Sequence, residues 1–226
     1  MREYGAGHRN NPAASFVNSS TARAQVAFAW RNGSFFGRAG LDGYVGDRDS
    51  HYNEKYGGAN IKLGRRFGDG WDISANIRYG AQRYAGAIDI LDVNRLLYYI
   101  CLRHRVIRGA SVRLDLIGGS DAEQEGGSPY GNSKSGGRFS FSAPIGDKVR
   151  ASASVGVLDT DYDGLFFGVR REDTQITATL QLEFRDVLSA GFTIIPRVLH
   201  VDNDSDVSLY QYERTEVGVL IRWSYK

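Results

Sequence analysis

A histidine and a serine near the C-terminus are the residues best suited to chemistry in this sequence. His200 and Ser205 lie close together in the sequence. Between them, Asp202, Asn203 and Asp204 offer groups that would orient the imidazole. A serine hydrolase needs this combination of side chains close together. The same residues are also typical of a loop whose side chains bond its own backbone. We favour the loop, and we expect no catalytic site, no metal and no cofactor.

Other groups that would bind a ligand are weaker candidates. The acidic run 159–164, DTDYDG, lacks the spacing and the distal glutamate of a calcium loop, so we predict a solvated loop. The glycine-rich run 126–137 lacks the strand-to-helix context of a phosphate loop and is predicted to be a flexible loop. Cys101 is the only cysteine, which excludes an intramolecular disulfide, and we expect it on the polar parity as incidental packing. His104 falls on the apolar parity, where we expect a membrane interface.

The elements that carry these residues are predicted to be β-strands. In WDISANIRYGAQRY, residues 71–84, apolar side chains alternate with polar and charged ones, and the same period of two recurs along the chain. Turn signals divide the chain into twelve candidate strands. These lie at about 2–9, 22–31, 34–46, 54–66, 71–84, 93–107, 110–119, 134–145, 148–159, 172–185, 188–201 and 209–224. The sequence therefore predicts an all-β, antiparallel protein.

The lengths of the predicted connections indicate which kind of β-protein this is. Short turns such as Asn32-Gly33 and Gly146-Asp147 alternate with long connections. The long connections are predicted near 10–21, 47–53, 85–92, 120–133, 160–171 and 202–208. A sandwich has no reason to sort its loops this way, whereas an outer-membrane barrel has short periplasmic turns and long extracellular loops. We predict one transmembrane β-barrel domain of about 12 strands over 1–226, in the outer membrane of a Gram-negative cell, with both termini periplasmic.

Composition is compatible with this prediction and excludes some alternatives. No window approaches the length of apolar sequence that a transmembrane helix requires, and the N-terminus lacks the apolar core of a signal peptide. Transmembrane β-strands need only about 9 to 11 residues with alternate apolar positions, so this does not exclude a barrel. The net charge is +2 and no basic run marks a nucleic-acid arm, so we expect no nucleic-acid partner.

The polar parity of the predicted strands is strongly basic. The arginines expected to line the lumen are Arg38, Arg78, Arg95, Arg103, Arg113, Arg138, Arg150, Arg185, Arg197 and Arg222, joined by Arg23, Arg31, Lys62, Arg66, Arg105 and Arg214. Only Asp42, Asp72, Asp115, Glu183 and Glu216 share this parity, and the other acids, such as Asp121 and Asp161, fall in predicted long loops. So many cations are not tolerated in a dry core, but they suit an aqueous lumen that attracts anions. The alternative is a plugged barrel in which arginines pair with acids and an inserted loop.

The last hairpin carries the most specific sequence motifs. Asn203 and Ser205 match an Asn-x-Ser-Asn loop except that Asp206 stands in the last position, and Tyr210 and Tyr212 match a Tyr-x-Tyr pattern. This hairpin resembles that of the surface lipoprotein assembly modulator (Slam) family and of related barrels attached to tetratricopeptide repeats. The N-terminal run GAGHRNNPAA is similar to the glycine-rich opening of such barrels. No helical repeats precede the barrel here, and Lys226 displaces the usual terminal aromatic, so the chain is expected to be excised from a longer one.

The resemblance implies a function in export or surface display of a protein or lipoprotein client. Its expected partners are outer-membrane lipids, lipopolysaccharide, the barrel-assembly machinery and the client. Two other functions stay open from the residues alone. One is a porin-like diffusion channel that prefers anions, and the other is an outer-membrane lipid hydrolase that would depend on His200 and Ser205.

Overall fold

The fold, taken from a computed structural model, is a single antiparallel sheet with almost no helix. The structure describes residues 2–4, 18–48, 52–84, 91–106, 109–124, 128–187 and 191–223. The strands are β1 (Arg2–Tyr4), β2 (Asn18–Asn32), β3 (Phe35–Arg48), β4 (Tyr52–Phe67), β5 (Trp71–Tyr84), β6 (Val93–Arg105), β7 (Ser111–Glu123), β8 (Asn132–Pro144), β9 (Val149–Phe166), β10 (Val169–Arg185), β11 (Phe192–Ser205) and β12 (Tyr212–Trp223). They pair in chain order, each with its sequence neighbours. The prediction of an all-β antiparallel protein is confirmed.

Most strand positions follow the prediction, and the errors lie at predicted long connections, into which β7, β9 and β11 extend. β5 begins and ends where the alternation predicts, at Trp71 and Tyr84. The predicted long connection 160–171 is wrong, because β9 continues to Phe166 and β10 begins at Val169. Phe167 and Gly168 alone connect them, and both have positive φ angles, as a tight hairpin with the twist of its strands requires. The predictions for residues 5–17, for 85–90 and for the terminal residues 224–226 lie outside the described residues.

The run DTDYDG was mistaken for a loop because its outward positions are acidic. Within β9, Thr160 and Phe166 are buried on one face, while Asp159, Asp161 and Asp163 are exposed on the other. The ladder with β8 continues to Tyr162, and the ladder with β10 continues to Phe166 with a register shift between Arg170 and Glu172. Both faces of this part of β9 carry polar residues. The alternation of apolar and polar residues that indicates a strand is therefore absent from the sequence here.

Close strand contacts explain two of the abundant glycines. The ring of Tyr98 covers Gly118 on the neighbouring strand, so a methyl group at Gly118 would overlap the ring. Gly136 lies against the backbone of Val157 and Leu158, and a methyl group there would overlap the Val157 carbonyl oxygen. Glycine is therefore required at Gly136 by backbone approach and not by a turn.

The sheet is open along one seam among the residues that the structure describes. No ladder joins β12 to β1 or β2, and in β2 from Ala22 to Arg31 side chains of both parities are exposed. Helical structure in the described part of the chain is limited to 3-10 turns, such as Ser208–Tyr210. None of these helical turns is long and apolar enough to cross a membrane.

Candidate functional site

The sheet exposes its apolar face and shields its polar face. Val26, Leu41 and Ile77 are 77%, 66% and 51% exposed, whereas Asp72 and Asp121 are 2% and 4% exposed. The described residues form no second layer that covers either face. A single sheet can bury side chains on one face only by curving around that face, so the polar face is concave. This is the reverse of a soluble β-protein, in which the apolar face is buried.

Aromatic side chains collect on the apolar face beside the short turns. Phe67 stacks on Trp71, and Trp71 stacks on His104 with ring centroids 4.3 Å apart. His104 thus lies on the apolar face, as its parity predicts. Tyr44 and Tyr162 instead lie over arginines of the concave face. The stacked aromatic rings of the apolar face therefore lie at the end of the sheet that carries the 68–70 turn.

The strand register places all ten predicted lumen arginines on the concave face. Directly paired residues of neighbouring antiparallel strands project to the same side, so each row across the sheet defines one face. The row that contains Asp115 consists of Arg31, Phe36, Gly64, Ser74, Cys101, Asp115, Arg138, Gly156, Thr177, Val201 and Arg214. Every second row from this one projects to the same side. These rows carry Arg38, Arg78, Arg95, Arg103, Arg113, Arg150, Arg185, Arg197 and Arg222. Cys101 is buried on this face beside Ser74 and Asp115.

Several of these arginines pair with buried acids. Asp72 accepts from Arg103 and Arg105, each at 2.9 Å. Asp121 accepts two hydrogen bonds of 2.9 Å from Arg95. The prediction that Asp121 belongs to an outer loop is wrong: it lies within β7 on the concave face, where Arg95 offsets the cost of its burial.

Other acids on the concave face are paired in the same manner, but the cations outnumber them. Asp115 bonds Arg113 at 2.7 Å, Lys134 adds a 2.7 Å contact to Asp121, and Asp42 pairs with Arg78. Within the described residues, no acidic partner contacts Arg38, Arg138, Arg197 or Arg222. The concave face is therefore paired locally and basic overall.

A cavity of about 310 Å³ lies on the concave face near the 145–148 turn, and Phe141 and Ala153 contribute apolar surface to it beside the polar side chains. Two adjacent rows of the register line it: Arg103, Arg113, Ser140, Ser154 and Thr179 in one, and Ser111, Ser142, Ser152 and Gln181 in the other. We call it the serine-arginine cavity. Serine side chains are small, so these positions leave space that larger lumen side chains would fill. Sequence reasoning missed the cavity, although serines at alternate positions of 139–154 were its visible signal.

A second polar cluster lies at the opposite end of the concave face. Arg171 is 3.4 Å from the ring centroid of Tyr210, 4.2 Å from that of Tyr162 and 5.2 Å from that of Phe166. The Arg171 guanidinium also donates to both carboxylate oxygens of Asp173. We call these five residues the Arg171 cluster. Burial raises the pKa of the Asp173 carboxyl, but hydrogen bonds, chiefly from Arg171, outweigh it and hold that pKa below its ordinary value.

The C-terminal motif residues support this cluster. The side-chain amide of Asn203 donates to the Tyr210 carbonyl oxygen at 2.8 Å, and the backbone N–H of Val207 donates to the Ser205 hydroxyl at 3.3 Å. The Gln175 amide donates to the Tyr212 hydroxyl at 3.0 Å. These bonds fold the 206–211 connection back so that Tyr210 reaches Arg171. All four motif residues, Asn203, Ser205, Tyr210 and Tyr212, thus have a structural role in this fold.

The histidine and serine considered for hydrolysis lie on opposite faces of β11. Ser205 is buried on the concave face, whereas His200 lies on the outer face and contacts the Thr215 hydroxyl at 3.0 Å. Five positions separate them along a regular strand, which places their side chains on opposite sides. They cannot cooperate in catalysis. Among the described residues, no group of three or more histidine, cysteine or acidic side chains is arranged to hold a metal ion.

Comparisons with known proteins leave the family open. No protein-family model matches the chain, and a search of curated proteins gives no match. The likeness of the C-terminal hairpin to the Slam family therefore rests on its short motifs.

Proposed function

We propose that this chain is an outer-membrane β-barrel domain that acts as a conduit, with export or surface display of a protein or lipoprotein client as its function. The observation that carries the proposal is the reversed sheet, whose apolar face is exposed and whose charged face is shielded. Lipid would cover the apolar face, because apolar side chains lose little by exposure to hydrocarbon. The concave face would then line a water-filled interior.

The distribution of outer-face residues supports a membrane band of limited height. Ile73, Ile77 and Tyr79 on β5 are exposed and apolar, as are Val155 and Val157 on β9. Beyond them, β9 exposes Asp161 and other acids. We place the apolar band on the halves of the strands that end at the 68–70 and 145–148 turns, and that end would face the periplasm. The two-residue hairpin Phe167-Gly168 lies at the other end, where Leu165, Phe167 and Val169 are exposed beyond the acids. The acidic strand ends would extend into the extracellular layer, near lipopolysaccharide.

The basic interior favours anionic cargo. Arginines without an acidic partner give the concave face an excess of positive charge, which raises the local concentration of anionic solutes or acidic segments of a client. The same observation supports a second candidate function, an anion-preferring diffusion channel. The Slam-like motifs favour the conduit for a client, in which case the barrel-assembly machinery and a client protein are its partners.

Planar-bilayer recording of the purified, refolded chain separates the two functions. A steady conductance whose reversal potential shows anion selectivity, in the absence of any protein client, would support the diffusion channel. A barrel that inserts, shown by heat-modifiable gel mobility, but conducts only with an added client would support the export conduit. A chain that is folded and monomeric in water without detergent would contradict both.

A further inference from the structure

The serine-arginine cavity has a chemistry that the conduit alone does not require. Its walls present hydroxyls from β7 to β10, one amide and two guanidinium groups across five adjacent strands. A lumen wall that only attracts anions needs scattered charge, and not hydroxyls that are aligned in two neighbouring rows.

Charge around the cavity is strongly positive. The arginines that line or adjoin it are Arg103, Arg105, Arg113, Arg138 and Arg150, and the acids that pair with them are Asp72 and Asp115. Five positive charges face these two acids and Glu183, which lies opposite Arg150 in the register, so an excess of two positive charges remains. Arg103 and Arg113 have side chains 39% and 46% exposed, so each keeps an open face toward the cavity while its acid holds it in place.

Donors around the cavity are available for a ligand. Arg150 donates to the Ser142 hydroxyl at 3.0 Å, which orients that serine. Within the described residues, no protein group bonds the hydroxyls of Ser140, Ser152 or Ser154. A tetrahedral oxyanion uses donors that approach from several directions, and guanidinium groups beside hydroxyls supply them.

We propose that the serine-arginine cavity binds a phosphate group, either as free phosphate or as the phosphate of a small ester. Arg103 and Arg113 bind the phosphate oxygens, and the hydroxyls of Ser140, Ser152 and Ser154 complete the set of donors. The cavity is larger than the phosphate itself, so the rest of an ester with polar groups fits against Thr179 and Gln181. Binding requires only the folded chain and does not depend on conduction or on a client.

Titration calorimetry on the full chain, refolded in detergent micelles, tests the site. The probes are inorganic phosphate, glucose 6-phosphate and glucose, in 0.15 M chloride, where screening over about 8 Å suppresses diffuse attraction. We expect saturable binding of the two phosphates at one site and none of glucose. Tighter binding of glucose 6-phosphate would assign the site to an ester, and tighter binding of phosphate would assign it to the free ion.

Variants separate this site from the general charge of the wall. Arg113→Gln is expected to weaken phosphate binding about tenfold or more, since a charge-assisted pair is lost. Ser154→Ala keeps every charge and the Asp115 pair, and is expected to weaken binding severalfold while folding normally. Arg38→Gln is the matched control, because it removes one charge from the same face at least three strand spacings away, roughly 14 Å.

Two results would overturn the proposal. One is the absence of saturable phosphate binding to a chain that shows heat-modifiable, folded mobility. The other is an equal loss of affinity in Arg38→Gln and Arg113→Gln with no loss in Ser154→Ala, because that pattern would mean diffuse attraction. Since the binding assay needs no bilayer, its failure would leave the conduit proposal standing, and a failed conductance assay would leave the binding result standing.

Discussion

The Arg171 cluster and the serine-arginine cavity use arginine on the same concave face in opposite ways. The Arg171 side chain is 8% exposed and is enclosed by Asp173 and three aromatic rings. Arg103 and Arg113 also bond acids, but their side chains are several times more exposed and adjoin unoccupied hydroxyls. Protein groups surround the guanidinium of Arg171, whereas Arg103 and Arg113 keep N–H donors that a ligand can use.

The concave face thus carries two kinds of arginine, which differ in whether their charge is available to solutes. A buried arginine that is enclosed by its own chain ties strands and loops together, and its charge is not available to solutes. The Arg171 cluster joins β9, β10 and the connection before β12, so it fixes the end of the sheet at which the acidic strands extend. Binding and selectivity must come instead from arginines with open donors.

The largest expected effect belongs to the enclosed arginine. Arg171→Ala leaves the Asp173 carboxylate buried without its partner, so we expect it to lower the free energy of unfolding by about 3 to 5 kcal/mol. The measurement is denaturant unfolding in micelles, followed by tryptophan fluorescence. Arg185→Ala on the same strand is the control: its partner Glu183 also lies two residues away, but the pair is more exposed, and we expect a loss below about 1 kcal/mol. Equal losses would remove the distinction between the two regions.

The next prediction tests the assumption that both regions lie on the water-facing side. Ile77→Arg places a charge on the exposed apolar face of β5, and we expect it to destabilise the barrel in lipid vesicles by about 2 to 4 kcal/mol. Asn76→Arg adds the same side chain to the concave face and is expected to fold nearly normally. The folded fraction is read from heat-modifiable gel mobility. If Asn76→Arg proved to be the damaging variant, the assignment of the faces would be reversed.

A smaller effect is expected where strands approach closely. Gly136→Ala forces a methyl group against the Val157 carbonyl oxygen, and we expect a loss of about 1 to 3 kcal/mol in unfolding free energy. Gly218→Ala on β12 adds the same methyl group where nothing lies within 4 Å. Its effect on the unfolding midpoint is expected to be small. A Gly218 variant as unstable as the Gly136 variant would mean that the seam beside β12 is more crowded than the described residues show.

Much of the fold was predictable because the alternation of apolar and polar residues can be read within each strand by itself. Alternation within 71–84 is enough to assign Asp72 and Ile77 to opposite faces, and the structure agrees. It was not enough to place Asp121, because an acid beside glycines and serines looks like a loop unless its partner Arg95 is known. The cavity was not predictable either. Its serines become neighbours only through the register of β7 to β10, and register is a property of strand pairs rather than of one strand.

The smallest expected effect on stability belongs to an arginine with open donors. Arg38→Gln removes a charge that has no acidic partner in the described part of the chain, so we expect the unfolding free energy to change by no more than about 0.5 kcal/mol. Its consequence should instead appear in bilayers, as a reversal potential shifted away from anion preference. If the variant instead lost much of its stability and kept its anion selectivity, Arg38 would have a structural role like that of Arg171.

The central claim is that the apolar face meets lipid and the concave face meets water. Spin labels at single cysteines along residues 73–79 of β5, in a Cys101→Ser background and in lipid vesicles, test it most directly. We predict that labels at Ile73 and Ile77 are relaxed mainly by oxygen, which concentrates in lipid, and labels at Ser74 and Asn76 mainly by a water-soluble nickel complex. Equal access of the nickel complex to both parities, or alternation in the opposite phase, would contradict the account.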